Sequence, residues 1–348
     1  YPHQDVGVSE WGSCNFMHSR GEVRSFLQSA ANYWLSVYHV DGIRMDAISR
    51  IIYWQGEPAR GVNNNAVDFI REMNRGLKTL HPTAMLSAED STSFEGVTKP
   101  ADQGGLGFDY KWDMGWMNDT LDYFRTAPEY RSRDYHKLTF SMMYFYNERY
   151  ILPLSHDEVV HGKATIAQKM HGEYEEKFPQ ARAFYMYMYA HPGKKLNFMG
   201  NEIGQLREWD EKREQDWDIL KYPIHDAFHH FMQKLNHLYM TTPALSAKDY
   251  ENAGFHWLDC HQEERCIYAF ERTDGKERIA AVFNFSDEDQ KGYELPVEDA
   301  KELEVILASD DVTFGGCKKY TKKKVKVMDG KAVLDLSAYS AVYYSIAV

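Results

Sequence analysis

The chain has 348 residues, 43% of them hydrophobic, so it is long enough for about two domains and a large core. Its formal charge of -12 excludes a basic surface for nucleic acid or anionic lipid. No apolar run approaches the roughly 20 residues of a membrane span, and no signal-peptide pattern begins the chain. Four scattered cysteines without a CxxC pair predict reduced thiols and a cytoplasmic location.

Helix and strand patterns alternate along the chain up to about residue 240. Apolar residues at helical spacing predict helices over 22–38, 65–80, 180–190 and 225–239. Apolar runs predict strands over 40–46 and 84–89, near Phe108, and over 149–155 and 194–200. The first two strands and the helix between them form a predicted βαβ unit.

Such βα alternation predicts a parallel sheet, either open or closed as a barrel. Three of the five predicted strands end in polar and acidic residues, namely Asp46, Glu89, and His156 with Asp157. A barrel builds its active site from the C-terminal ends of several strands, whereas an open sheet would call for a Gly-rich phosphate loop after a strand, and none is found. The pattern therefore favours a barrel.

From about Leu245 the pattern changes to short alternating segments, among them CIYAFER, RIAAVFNFS, KVKVMDG and AVYYSIAV. Turn pairs such as Asp274-Gly275 and Asp329-Gly330 separate them, which is typical of an antiparallel all-β domain. We expect a partial (β/α) barrel over 1–244 and an all-β domain over 245–348.

The charged residues at the strand ends indicate glycoside chemistry. Arg44 and Asp46 stand two apart in a strand and so face the same way, although a structural ion pair, taken alone, explains that spacing better. Glycoside chemistry needs one ionised and one protonated carboxyl group. Arg44 would keep Asp46 ionised, and Glu89, at the mouth of an apolar strand, suits the protonated role. The chemistry alone does not separate Glu89 from Asp90.

Histidines and tryptophans supply weaker candidates. His156 and His161 stand five apart and do not share a helical face, so we predict no metal site there, and the sequence indicates no cofactor. His225 and His229 have i,i+4 spacing but are predicted to lie on a solvated helix face. Four tryptophans are either sugar-stacking surfaces or core residues: Trp54, Trp112, Trp116 and Trp209.

Three segments carry a resemblance to a known family. DGIRMDA (41–47), LSAEDST (86–92) and LPLSHDEVVHGK (152–163) resemble signature regions of the alpha-amylase superfamily, in the same order. SHDEVVHGK, followed by FMGNEIGQ (198–205) and REWD (207–210), is similar to the form in 1,4-alpha-glucan (glycogen) branching enzymes.

The resemblance implies a role for each of five residues. Asp46 would be the nucleophile, Glu89 the general acid and base, and Asp157 the stabiliser of an oxocarbenium-like transition state. Arg44 and His156 would complete the contacts to the sugar. The implied partner is an α-glucan, whose α-1,4 bond is cut and whose segment is rejoined to a 6-hydroxyl.

Two further readings stay open. An alpha-amylase-type hydrolase or a trehalose-forming relative would use the same carboxyl groups. A glucan-binding fragment without turnover would use none of them.

The resemblance also implies that this chain is a C-terminal portion. Branching enzymes carry a β-sandwich and three barrel strands before these motifs, so the strands counted here are about the last five of eight. We expect unpaired edges at the strand of Asp46 and at the strand near Phe198. Activity of the isolated chain and its oligomeric state are left open.

Overall fold

The computed structural model describes Tyr1, residues 3–320 and residues 324–347. They form two compact units. The first consists of Tyr1–Gly115 and Asn147–Ile151, and the second of Trp116–Tyr146 and Leu152–Val348.

Helices dominate the first two thirds of the chain. The α-helices in the described residues are α1 (Gln4–Gly7), α2 (Gly21–Val37), α3 (Ser49–Ile52), α4 (Asn64–Leu80), α5 (Met114–Arg125), α6 (Lys137–Phe140), α7 (Ile166–Lys169), α8 (Tyr174–Ala190) and α9 (Pro223–Thr241). The three predicted helices that became α2, α4 and α9 lie within two residues of their expected bounds.

Five strands form one sheet in the order of the chain. They are β1 (Gly42–Met45), β2 (Met85–Ala88), β3 (Tyr110–Trp112), β4 (Tyr150–Leu154) and β5 (Lys194–Asn197). The pairings of β1 with β2, β2 with β3 and β3 with β4 are parallel. This confirms the five predicted strands of a parallel sheet, in which β1 and β5 are the outer strands.

The first unit has its core between helix α4 and strands β1 and β2. Val67, Ile70, Met73 and Leu77 recur at helical spacing along α4 and are buried against Leu86 and its neighbours. Burying this stripe stabilises the βαβ unit, because a short helix gains most of its stability from packing.

Helix α8 begins at Tyr174, six residues before its predicted start. Pro179 lies inside this helix, although proline usually breaks a helix interior. A capping box starts the helix, with the Glu173 side chain accepting from the amide of Glu176 and the Glu176 side chain accepting from the amide of Glu173. Helix α5 was not predicted from the sequence.

Eight strands follow in the second unit, and this confirms the predicted all-β region. They are β6 (Phe255–Gln262), β7 (Ile267–Thr273), β8 (Arg278–Asn284), β9 (Gln290–Pro296), β10 (Glu302–Ala308), β11 (Lys324–Met328), β12 (Lys331–Leu336) and β13 (Ser340–Ala347). Their spatial order is β6-β7-β8-β13-β10-β11-β12-β9. Alternate residues such as Val342, Tyr344 and Ile346 fill the core. Val348, part of the predicted last strand, lies outside the described residues.

Candidate active site

Two acidic residues meet at the C-terminal ends of β1 and β2. The parallel register pairs Met45 with Ala88, so Asp46 and Glu89 are the next residues on their two strands. Backbone bonds continue beyond the strands, from the amide of Glu89 to the carbonyl of Met45 (3.0 Å) and from the amide of Ile48 to the carbonyl of Glu89 (2.9 Å). The backbone therefore holds the two carboxyl groups side by side.

Arg44 joins these carboxyl groups. Its Nη1 donates to Oδ1 of Asp46 (2.7 Å) and also to Oε2 of Glu89. The guanidinium lies over the ring of Trp112, 4.4 Å from the ring centroid, where a cation–π contact orients it. Because Trp112 is buried beneath Arg44, it serves as the floor of the site.

The two carboxyl groups have different surroundings. The side chain of Asp46 is 75% exposed, whereas that of Glu89 is 19% exposed. Burial, assisted by a hydrogen bond with Asp46, raises the pKa of Glu89, while Arg44 opposes this rise. The site therefore pairs one water-exposed carboxylate with one carboxyl group that holds a proton more readily.

Asp90 has a structural role. It is buried, and its carboxylate accepts from the Lys111 ammonium (2.8 Å) and from the amide (3.0 Å) and hydroxyl (2.9 Å) of Thr92. Since these bonds occupy its oxygens, Asp90 has no free face for chemistry. The structure thus gives a physical reason, absent from the sequence, to prefer Glu89.

His156 and Asp157 lie together in the second unit, directly after β4. The amide of Asp157 donates to Oγ of Ser155 (3.2 Å), and Nε2 of His156 lies 3.4 Å from Oδ1 of Asp157. Both side chains are partly exposed. The ring of Trp209 lies 6.3 Å from the His156 ring and 5.3 Å from the Phe198 ring. Charged and aromatic groups therefore share one surface here.

Comparison with known proteins gives the family. The model of the alpha amylase catalytic domain matches residues 11–289, and that of the alpha amylase C-terminal all-beta domain matches residues 257–347. The chain belongs to the alpha-amylase family.

Curated relatives narrow the comparison within this family. The chain is 42% identical over 331 residues to the 1,4-alpha-glucan branching enzyme GlgB of Bacillus cytotoxicus, covering 94% of the chain and 51% of that protein. It is 42% identical over 333 residues to the enzyme of the same name from Bacillus cereus strain B4264, covering 94% and 52%. The chain spans about half the length of the curated relatives it matches.

Solved structures of alpha-amylases share the fold. An Anoxybacillus alpha-amylase matches with a TM-score of 0.63 at 18% identity, covering 97% of this chain and 65% of that one. The Geobacillus thermoleovorans alpha-amylase crystallised with acarbose matches with a TM-score of 0.65 at 16% identity, covering 97% and 67%.

Two of the candidate tryptophans pack against other aromatic rings. Trp116 is buried with its ring stacked 6.5 Å from that of Tyr187, so it is a core residue. Trp54 makes an edge contact with Tyr1 at 5.4 Å.

The predicted solvated face at His225 is wrong. His225 is buried, packs against Phe178, and donates from Nδ1 to the carbonyl of Ile203 (2.9 Å). The prediction failed because a histidine whose polar atom has a hydrogen-bond partner can occupy the apolar face of a helix.

Two residues beside the candidate site were not predicted from the sequence. Glu208 and Lys169 contact the loop that follows Asp157. Glu208 lies within the REWD motif, which was noted only for its resemblance, and nothing in the sequence connects Lys169 to this loop.

Two further properties concern the described residues as a whole. No group of three or more His, Cys, Asp or Glu residues among them could hold a metal ion. No helix within the described ranges combines the length and apolar character needed to cross a membrane.

Proposed function

We propose that this chain carries the catalytic groups of a retaining glucan branching transferase. In this proposal it cuts an α-1,4 glucan and joins the released segment to a 6-hydroxyl, which makes an α-1,6 branch. The observation that carries the proposal is the guanidinium of Arg44, which bonds the carboxyl groups of both Asp46 and Glu89. The similarity to branching enzymes over 94% of the chain supports the choice of reaction.

The geometry around Arg44 suits a retaining mechanism. Two oxygens bonded to one nitrogen can be separated by at most two hydrogen-bond lengths, or about 6 Å. Retaining glycosidases hold their carboxyl groups about 5 to 5.5 Å apart. Asp46 attacks the anomeric carbon, and the glycosidic bond breaks as Glu89 gives its proton to the leaving oxygen.

The second half of the reaction reverses the role of Glu89. It takes the proton from the incoming 6-hydroxyl, whose oxygen displaces Asp46 from the anomeric carbon. Arg44 forms an ion pair with Asp46 in the free enzyme, and the partial burial of Glu89 raises its pKa and so favours its protonated form. In the proposal, Asp157 and His156 also contact sugar hydroxyls.

We also propose the domain bounds and the cellular location of this chain. Residues 1–244 would form the catalytic region and residues 245–348 an all-β domain, since helices give way to strands after Thr241. We place the chain in the cytoplasm, because all four cysteines are free.

Iodine staining of amylose incubated with this chain tests the proposal. Branching shifts the absorbance spectrum without a matching release of reducing ends, and Asp46→Asn and Glu89→Gln each lower turnover at least about 100-fold. Asp68→Asn, a change of the same kind on the exposed face of α4, keeps wild-type turnover.

The competing functions give different results in the same assay. Reducing ends that rise in step with the loss of colour would show a hydrolase. Retention on amylose without turnover would show a glucan-binding fragment, and either result would overturn the proposal.

A further inference from the structure

The loop that follows Asp157 has a backbone that requires support. His161, Gly162 and Ala164 have φ values of 58°, 78° and 65°. A left-handed conformation at a residue other than glycine costs of order 1 kcal/mol, and it persists only where the surroundings impose it. Two such residues lie within four positions of this loop, so other side chains must hold it in place.

Glu208 holds the amide side of the loop. One carboxylate oxygen accepts from the amide of Gly162 (3.0 Å), and the other accepts from the amide of Ala164 (2.7 Å). These two backbone bonds lower the pKa of Glu208, because they favour its charged form. Glu208 is therefore ionised at neutral pH and uses both oxygens on the loop.

Lys169 holds the carbonyl side of the same loop. Its ammonium is buried and donates to the carbonyls of Glu158 and Ala164. Burial lowers the pKa of Lys169 to about 8, so it still carries its charge at pH 7 in most molecules. The N–H of Ala164 thus donates to the carboxylate of Glu208, and its C=O accepts from the ammonium of Lys169.

The segment that carries Glu208 is itself anchored. Arg207 makes a bidentate ion pair with Asp216, from Nε (3.1 Å) and from Nη2 (2.9 Å). On the other side of Glu208, the amide of Trp209 donates to the carbonyl of Val159 (2.9 Å). Glu208 therefore projects from a rigid support that also contacts the start of the loop.

We propose that Glu208 and Lys169 are positioning residues that clamp the segment 158–164 and thereby fix His156 and Asp157. Neither residue touches the sugar in this proposal. The clamp itself is a property of the folded chain, and only its effect on turnover rests on the proposed function.

Hydrogen exchange of the intact chain tests the clamp without any need for turnover. Glu208→Ala raises exchange at least about tenfold at the amides of Gly162 and Ala164 and, through the loop, at those of Asp157 and Glu158. Glu208→Gln keeps one acceptor oxygen and gives an intermediate rise. The matched control is Glu211→Ala, an exposed residue three positions away, which leaves all four amides at wild-type rates.

The outcomes separate the clamp from the proposed function. Urea unfolding confirms that each variant folds, and Glu208→Gln carries the test if the alanine variant does not. Unchanged exchange at Asp157 and Glu158 overturns the clamp, even if Gly162 and Ala164 exchange faster.

Turnover provides the second readout. Loss of positioning lowers kcat more than it changes KM, and Glu208→Gln restores part of kcat relative to Glu208→Ala. A wild-type kcat in a variant whose loop exchanges faster would overturn the positioning role. Exchange as expected in a chain without any turnover would remove the proposed function and leave the clamp standing.

Discussion

At the scale of single residues, Glu89 ties the candidate chemistry to stability. Its pKa is raised in the folded chain, mainly by burial, so the folded state binds this proton more tightly than the unfolded state does. The stabilising contribution is complete at low pH and is lost as pH rises from about the ordinary value of 4.5 through the raised one. We therefore expect the free energy of unfolding of Glu89→Gln, relative to wild type, to be greater at pH 7 than at pH 4.

Urea unfolding at several pH values measures this difference. Glu72→Gln is the matched control, because Glu72 is exposed in the same unit and pairs with Arg24 at the surface. A difference between Glu89→Gln and wild type that does not change with pH, or that shrinks as pH rises, would contradict the prediction.

The ion pair of Asp90 and Lys111 lies next to Glu89, and we expect it to affect the free energy of unfolding. Both side chains are buried and their charged atoms are 2.8 Å apart. Removing one partner leaves an unpaired buried charge, so Lys111→Met should lower the free energy of unfolding by about 3 to 5 kcal/mol. Adding Asp90→Asn should recover about 2 kcal/mol relative to the sum of the single changes. The exposed pair of Arg24 and Glu72 is the control cycle, with an expected coupling below about 1 kcal/mol.

At the scale of elements, the contact between β1 and β2 depends on Gly42. A Cβ built there would lie 2.4 Å from the carbonyl oxygen of Met85, which is backbone of the paired strand. Gly42→Ala should therefore separate the strand ends and lower the free energy of unfolding by about 2 kcal/mol or more.

Gly76→Ala is the matched control on α4. Its Cβ would meet nothing within 4 Å, and alanine favours a helix by about 0.5 to 1 kcal/mol, so this change should stabilise the chain. Equal effects of the two substitutions in urea unfolding would show that close approach at Gly42 does not matter.

Elements with their own periodicity could be predicted from the sequence. Four apolar residues at helical spacing predict helix α4. Short apolar runs that end in charged residues predict strands β1 and β2. Features that depend on distant partners could not be predicted. The start of α8 depends on a capping box, and the burial of His225 on the carbonyl of Ile203. The support of the loop after Asp157 depends on Glu208, which lies 44 residues beyond Ala164.

At the scale of the whole molecule, two properties oppose each other in solution. The net charge of -12 makes copies of the chain repel. The outer strand β1 has an unpaired edge within the described sheet, and the exposed rings of Tyr33, Trp34 and Tyr38 lie just before it in the chain. Such edges and apolar groups favour association.

The dependence of association on salt concentration distinguishes these two effects, because salt screens charge repulsion but leaves apolar contacts in place. The screening length falls from about 30 Å at 0.01 M to about 8 Å at 0.15 M salt, so we expect sedimentation velocity to show more association at the higher concentration. Trp34→Glu should reverse this increase. Val333→Glu adds the same charge at an exposed site on β12 and should have little effect. Association that weakens with salt would point to pairing of opposite charges, and an equal effect of both variants would mean that added charge, not the apolar surface, controls it.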